Sequence, residues 1–392
     1  MFKIIIILLS SLILFSNKLF AKDVYWGGVA FVSVDQSQNE MQNKLYPYLM
    51  EIGYDKLDNW AYNSLISNNS FKNFSIKVAS NGSPLRIESG NEDNAVIMSV
   101  VFFADDTFFG KDITAHGDVS FDNIFHIYGS LVFFDPENGA YINSMPLIKQ
   151  LTFSQKSKPN PNQIKNEFIK MLDSSNSNNY FKQLFNRASN IKLEFEREKL
   201  ASFGEVKFGP SVNQFFSRTN EVETWKFRIN KQYENILSMF SKIPIVPSGP
   251  NAELKYFNAK FKDKEVKIEI LDETIYVFNV NLKIFKKVDK PNKNNTFRTV
   301  CHIVGLRLSL IADGEDKIMD VPFVRAKKSC GVVGANNLID DDYYFPMNLL
   351  IVIEKSASQF RSINPNYLKI ATQGKSEQAI LQINNAKKEL FN

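Results

Sequence analysis

Two long stretches of the chain alternate between apolar and polar positions, and both end in acidic turns. From Asp118 the odd positions read Val119, Phe121, Asn123, Phe125, Ile127, Gly129, Leu131 and Phe133. That two-residue period is the pattern of an extended strand with one buried face. Asp135-Pro-Glu-Asn-Gly139 follows. Its Asp bonds back to the backbone, its Pro presets φ and Gly139 suits the left-handed position that closes a bulged hairpin loop. Ala140 to Ile148 is then the return strand, and on a straight strand His126 lies far from Asp135 and Glu137. His302 to Asp316 repeats the scheme: His302-Ile-Val-Gly305 echoes His126-Ile-Tyr-Gly129 at an offset of 176 (302 − 126), and Pro322 echoes Pro146 at the same offset. Val100-Val-Phe102 aligns with Tyr276-Val-Phe278, and Trp26 to Phe31 with Phe203 to Phe208. Four matches in one order at a nearly constant offset read as an internal duplication.

Helical periods fill the spaces between the strands. Met41, Leu45, Leu49 and Ile52 share a face that Pro47 bends or splits, and Leu57, Trp60, Ala61 and Leu65 mark a second short helix. Val222, Trp225, Ile229, Tyr233, Ile236 and Phe240 make the counterpart in the second half. Further helices are predicted over about 163–172, 180–201 and 376–390. Strands are predicted at the two fronts (29–34 and 206–208) and over about 74–80, 95–103, 118–148, 265–270, 275–285, 299–325 and 349–354. The predicted fold is α+β: two tandem, structurally related domains, each an antiparallel sheet with helices on one face. The expected division is a cleaved signal peptide at 1–21, a first repeat domain at 22–155, a linker with connecting helices at 156–200, and a second repeat domain at 201–392.

Composition changes this picture in two places. Lys3, the apolar run Ile4 to Phe15 and the small residue Ala21 have the layout of a secretory signal, and the run is too short for a membrane span. No later run is long enough to span either, so no transmembrane segment is expected after cleavage. Loss of Lys3 and Lys18 lowers the formal charge from +5 to +3, with both signs interspersed, so no nucleic-acid partner is expected. Cys301 and Cys330 are the 2 cysteines. In an exported chain an even pair without CxxC spacing is expected to form a disulfide, here at the base of the second hairpin.

Signatures that identify an enzyme are missing: HExxH, GxSxG, a P-loop and GxGxxG do not occur. His126 and His302 hold equivalent repeat positions, a structural reason for both, and His116-Gly-Asp118 reads as a loop corner. Asp340-Asp341-Asp342 are the metal candidates, but consecutive side chains of extended backbone diverge, so a solvated loop is expected. The same reading applies to Asp105-Asp106. Tyr343, Tyr344 and Phe345 form a candidate partner surface. No catalytic residue, metal or cofactor is assigned. The expected function is an exported, periplasmic or secreted, non-catalytic binding or envelope-assembly protein whose partner is an envelope protein or ligand. The alternative is an exported hydrolase with Asp105, Asp106 and Asp340 to Asp342 lining an inter-domain cleft.

Overall fold

The computed structural model describes residues 23–33, 45–67, 71–80, 84–85, 95–113, 119–193, 199–248, 256–270, 274–312, 317–326, 329–335 and 339–391. The leader, His116 and the acidic turn at 313–316 lie outside these residues, as do the first two predicted helical turns at 38–44.

Strand β1 (Asp23–Val32) is followed by helices α1 (Leu49–Ile52) and α2 (Tyr54–Ile66) and then by strands β2 (Ala95–Ile113), β3 (Val119–Phe134) and β4 (Tyr141–Gln155). Helices α3 (Pro161–Leu172) and α4 (Tyr180–Arg187) lead to β5 (Lys199–Phe208), α5 (Pro210–Ser217) and α6 (Val222–Leu237). Then come β6 (Tyr256–Lys260), β7 (Glu265–Glu269), β8 (Thr274–Pro291), β9 (Phe297–Ile311), β10 (Lys317–Arg325) and β11 (Cys330–Gly334). Helices α7 (Asp341–Arg361), α8 (Pro365–Ala371) and α9 (Ser376–Phe391) close the described chain.

The strands form two sheets, in the orders β4-β3-β2-β1-β6-β7 and β10-β9-β8-β5, with β11 pairing to β9. Both are mixed rather than antiparallel as expected: β1 lies parallel to β2 and β5 parallel to β8. Each parallel pair is joined by a connection that contains helices, the link a parallel pair requires. The first sheet also takes in β6 and β7 from beyond residue 201, β6 pairing with β1 at Phe31 and Val32.

Helices cover both faces of the first sheet, not one. On one side Phe168 of α3 packs on Phe125, Tyr180 and Phe181 of α4 on Phe102, and Phe185 on Trp26. On the other, Phe227 of α6 meets Phe103. Every residue of β3 from Asn123 to Phe134 is consequently buried. In the second sheet β9 keeps a near-alternating pattern, with Val304, Leu306, Leu308 and Leu310 buried and Arg307 exposed. One face of that sheet packs on helices, and on the other, among the described residues, Arg307 is exposed and Val277, Asn279, Ser309 and Ile311 are half-buried.

The first hairpin closes as its sequence indicates. The Asp135 N–H donates to the Ala140 carbonyl at 2.9 Å, the Glu137 N–H donates to the Asp135 carboxylate at 2.9 Å, and Gly139 has φ +70°. A methyl group at Gly139 would stand 2.4 Å from the Lys267 carbonyl, so β7 can dock beside the turn only because no side chain is there.

Three local expectations change. The run at 349–354 is rich in branched residues but forms part of α7, whose buried Phe345, Leu349, Val352, Ile353 and Phe360 follow the helical period. The helix from Tyr180 stops at Arg187, and the chain turns to extended backbone at Ile191 before β5. At 74–80 the chain makes only isolated bridges, Val24 with Ile76 and Val78 with Pro84. The cysteines do form the expected disulfide, directly opposite one another with Cα atoms 3.9 Å apart. The strand that carries Cys330 is β11, which joins β9 beyond the end of β10, so the bond ties a third strand to the hairpin.

Candidate functional site

The densest polar chemistry of the described residues lies on β2 and under α6, in the interior. Consecutive residues of a strand point to opposite faces, so Asp105 and Asp106 separate. Both are buried, at 0% and 2% exposure, where a solvated loop was expected. Asp105 accepts from the Leu49 N–H at 2.8 Å and the Tyr48 N–H at 3.2 Å, so it caps the start of α1. Burial pushes its carboxyl well above the usual range, only partly opposed by those backbone bonds.

Asp106 faces α6. His126 Nδ1 lies 2.8 Å from its Oδ1, the Tyr128 hydroxyl donates to Oδ2 at 2.9 Å, and Arg228 Nε lies 2.9 Å from Oδ2. The Arg228 Nε contact lacks hydrogen-bond alignment. Its attraction is therefore Coulombic. Burial alone would raise the Asp106 carboxyl, but Arg228 and His126, with the hydrogen bonds from His126 and Tyr128, hold it below the usual range. The far side of the cluster is closed by Gln150, 3.1 Å from His126 Nε2, and Gln232, 3.5 Å from the Tyr128 hydroxyl. His126 thus pairs with a neighbouring strand, not with the turn that follows it.

Helix α6 explains why these residues meet. Tyr233 stacks on Phe203 of β5 and the Asn230 side chain donates to the Gly204 carbonyl, which holds one face on the second sheet. Phe227, Arg228, Lys231 and Asn235 recur at helical spacing on the other face and meet the first sheet. Asn235 accepts from the Ile148 N–H at 3.0 Å, and the Lys231 ammonium sits 3.5 Å from the Phe103 ring centre. Lys231 pairs with Glu234 at 2.8 Å, and Glu234 also accepts from the Ser248 N–H and hydroxyl. Burial brings the Lys231 pKa down to about 8, with Glu234 opposing the shift. Sequence periodicity marked the Trp225–Ile229–Tyr233 stripe and missed this second one. The available signal was Phe227, an apolar residue off the stripe, beside a Lys-Glu pair at i, i+3.

The second sheet has its own cluster. Asp340 precedes α7 as its N-cap, and Asp341 and Asp342 occupy the first turn, where carboxylates favour the positive end of the helix dipole. Asp341 bonds His302 Nε2 at 2.8 Å and Lys287 at 2.8 Å, whereas Asp342 pairs with Arg218 at 3.0 Å. The acidic run is a helix start with cationic partners rather than a loop. Among the described residues no group of three or more His, Cys, Asp and Glu is arranged to hold a metal. Of the aromatics beyond it, the candidate partner surface, Phe345 is buried and Tyr343 and Tyr344 are half-buried, each packed on a neighbour. Tyr344 stacks on His302 at 5.2 Å, and Phe345 stacks on Phe285 at 4.8 Å. Tyr343 covers Gly110 of β2 and its hydroxyl donates to Asp122 at 3.3 Å. A methyl group on Gly110 would stand 2.5 Å from that ring. The aromatic run therefore joins the two sheets.

These clusters fix charge and orientation and hold the sheets together. The two carboxyls of β2 respond to pH in opposite senses. Asp106, with a depressed folded pKa, contributes stability that is complete above about pH 4 and is lost as pH falls through its folded value. Asp105, with a raised folded pKa, makes stability fall as pH rises from about 4 towards its folded value. Asp105→Asn cannot ionise, so its stability relative to the native chain is expected to increase between about pH 4 and pH 8. Urea unfolding across that range measures this. A difference that stays flat with pH would contradict the burial of Asp105 as an ionisable group.

No family model matches the chain. No curated protein matches it. Among solved structures, it is similar to one described as "putative neuraminyllactose-binding hemagglutinin homolog" from Helicobacter pylori, with a TM-score of 0.27 and 10% identity over 46% of this chain and 90% of that chain. A likeness of that size bears on neither the architecture nor the role of this protein.

Proposed function

We propose that this is an exported, periplasmic or secreted, binding or envelope-assembly protein built from a duplicated sheet-and-helix unit, and that it catalyses no reaction. The observation that carries the reading is that Asp105, Asp106, Asp341 and Asp342 each hold partners within the protein, while among the described residues the second sheet presents a face of half-buried and exposed side chains. Asp105 is held by α1, Asp106 by Arg228 and His126, Asp341 by His302 and Lys287, and Asp342 by Arg218. The hydrolase alternative needs these carboxylates to converge on a cleft, and each is instead engaged with a different set of partners.

Duplication is supported by the shared strand order β4-β3-β2-β1 and β10-β9-β8-β5, each with its front strand parallel to the second. Both front strands also shift register at a glycine-bearing step, between Trp26 and Gly28 and between Phe203 and Val206. Export is supported by the leader-like composition of residues 1–21 and by the Cys301–Cys330 disulfide, a bond of oxidising compartments. Affinity capture of the chain from its own cell envelope, with cross-linking, is expected to recover one reproducible partner. Recovery of none, together with turnover of an ester, peptide or glycoside substrate by the purified chain, would overturn the reading in favour of the hydrolase.

A further inference from the structure

Beyond residue 283 the second sheet continues as a three-stranded ribbon of β8, β9 and β11, and this ribbon carries a surface of unusual make-up. Paired residues of neighbouring strands share a face. The pairs Ile284–Gly305, Lys286–Ile303, Val288–Cys301 and Lys290–Thr299, with Val332–Thr299 and Gly334–Phe297, therefore place one set of side chains together. Ile284, Phe297 and Val332 stand there 41%, 47% and 71% exposed, although they are apolar. Lys286 and Lys290 are exposed on the same face, and Lys283 and Lys293 are exposed at its two ends.

Charge complementarity selects the partner. These four lysines pair with no carboxylate among the described residues. The ribbon's one acid, Asp289, is on the opposite face and already holds Arg298 at 2.6 Å. A specific carboxylate or phosphate group is usually gripped by the planar fork of Arg, whereas lysines are mobile point charges suited to a diffuse anionic surface. Apolar side chains set among lysines, with the charged ends free to extend past them, match the boundary between headgroups and acyl chains. The surface is also held rigid. The Asn292 side chain accepts from the Thr296 and Phe297 N–H groups, the Ala335 N–H donates to the Thr296 carbonyl, and the disulfide fastens β11 to β9.

The geometry points to an anionic lipid bilayer as the partner of this ribbon face: Lys283, Lys286, Lys290 and Lys293 meet the headgroups while Ile284, Phe297 and Val332 enter the interface. This names the partner of that face of the second sheet and so rests on the binding role proposed above.

Vesicle co-sedimentation of the full, oxidised chain tests it, with phosphatidylcholine vesicles compared with vesicles containing phosphatidylglycerol. Binding is expected only with the anionic lipid and is expected to weaken with salt. Each lysine neutralised should weaken it about fivefold. Lys286→Glu/Lys290→Glu should therefore lose most binding, while Lys375→Glu/Lys388→Glu, exposed charges on and beside α9, should bind as the native chain does. Phe297→Ser/Val332→Ser should weaken binding yet keep its salt dependence. Equal sedimentation with both lipids, no sedimentation with the anionic one, or unchanged binding by Lys286→Glu/Lys290→Glu would overturn the proposal. So would equal affinity for soluble polyglutamate with no effect of Phe297→Ser/Val332→Ser, which would make the partner an acidic macromolecule. A chain that ignores vesicles but is captured by an envelope protein would lose the membrane face and keep the binding role.

Discussion

Replacing Arg228 with methionine is expected to lower the unfolding free energy by about 3–5 kcal/mol near neutral pH, the cost of leaving one charge of a buried pair uncompensated. Arg228 is 7% exposed and Asp106 2%, so water cannot take over the lost partner without opening the contact between α6 and the first sheet. His126 and Tyr128 remain bonded to the carboxylate, but neither brings the permanent charge of a guanidinium. Adding Asp106→Asn to Arg228→Met removes the stranded charge and should recover much of the loss, because the two side chains interact directly and their effects are not additive. Urea unfolding of the native chain, both single variants and the double variant gives the coupling. A loss below about 1 kcal/mol for Arg228→Met would mean that the pair is not buried between the layers.

The second large effect is expected at the disulfide. It closes a loop with a sequence separation of 29, and chain-entropy reasoning assigns such a closure about 3–4 kcal/mol. Cys301→Ser/Cys330→Ser, or reduction of the native chain, should lower the unfolding midpoint accordingly. Non-reducing peptide mapping should recover the two cysteine peptides cross-linked, whereas alkylatable thiols in the native chain would refute the bond. The loss should be felt first in β11, a short strand whose first three residues are exposed and which, among the described residues, pairs with β9 alone. The rest of the second sheet keeps its core through Phe203, Phe278, Leu306 and Leu308.

Local chemistry explains which features were legible in the sequence. The turn at Asp135 to Gly139 depends on residues within five positions, and its expected bonds are present. The helix at Pro161 to Leu172 carries its own start signal, with Asn160 and Gln163 bonding reciprocally as a capping box. The disulfide needed only the number and context of the cysteines. Where a segment's state depended on what lay across from it, pattern gave less. The run at 349–354 favours a strand by composition and becomes helix because its apolar residues fit the second core at helical spacing. The alternation in β3 predicted one buried face, and α6 buries the other. Nothing near His126 in sequence announces Arg228, a hundred residues away.

The sequence by itself determined the first hairpin and its acidic turn, the cysteine pairing and the amphipathic stripe of α6, because each is encoded by residue type at short range. Tertiary structure alone decided that α6 lies between two sheets, that Asp105 and Asp106 part company across β2, that Tyr343 to Phe345 seal a joint, and that Ile284, Phe297 and Val332 share an exposed face with lysines. These depend on which surfaces meet. A side chain's charge state and role follow from the partners that burial brings within a few ångströms, and the residue order of one strand does not contain them.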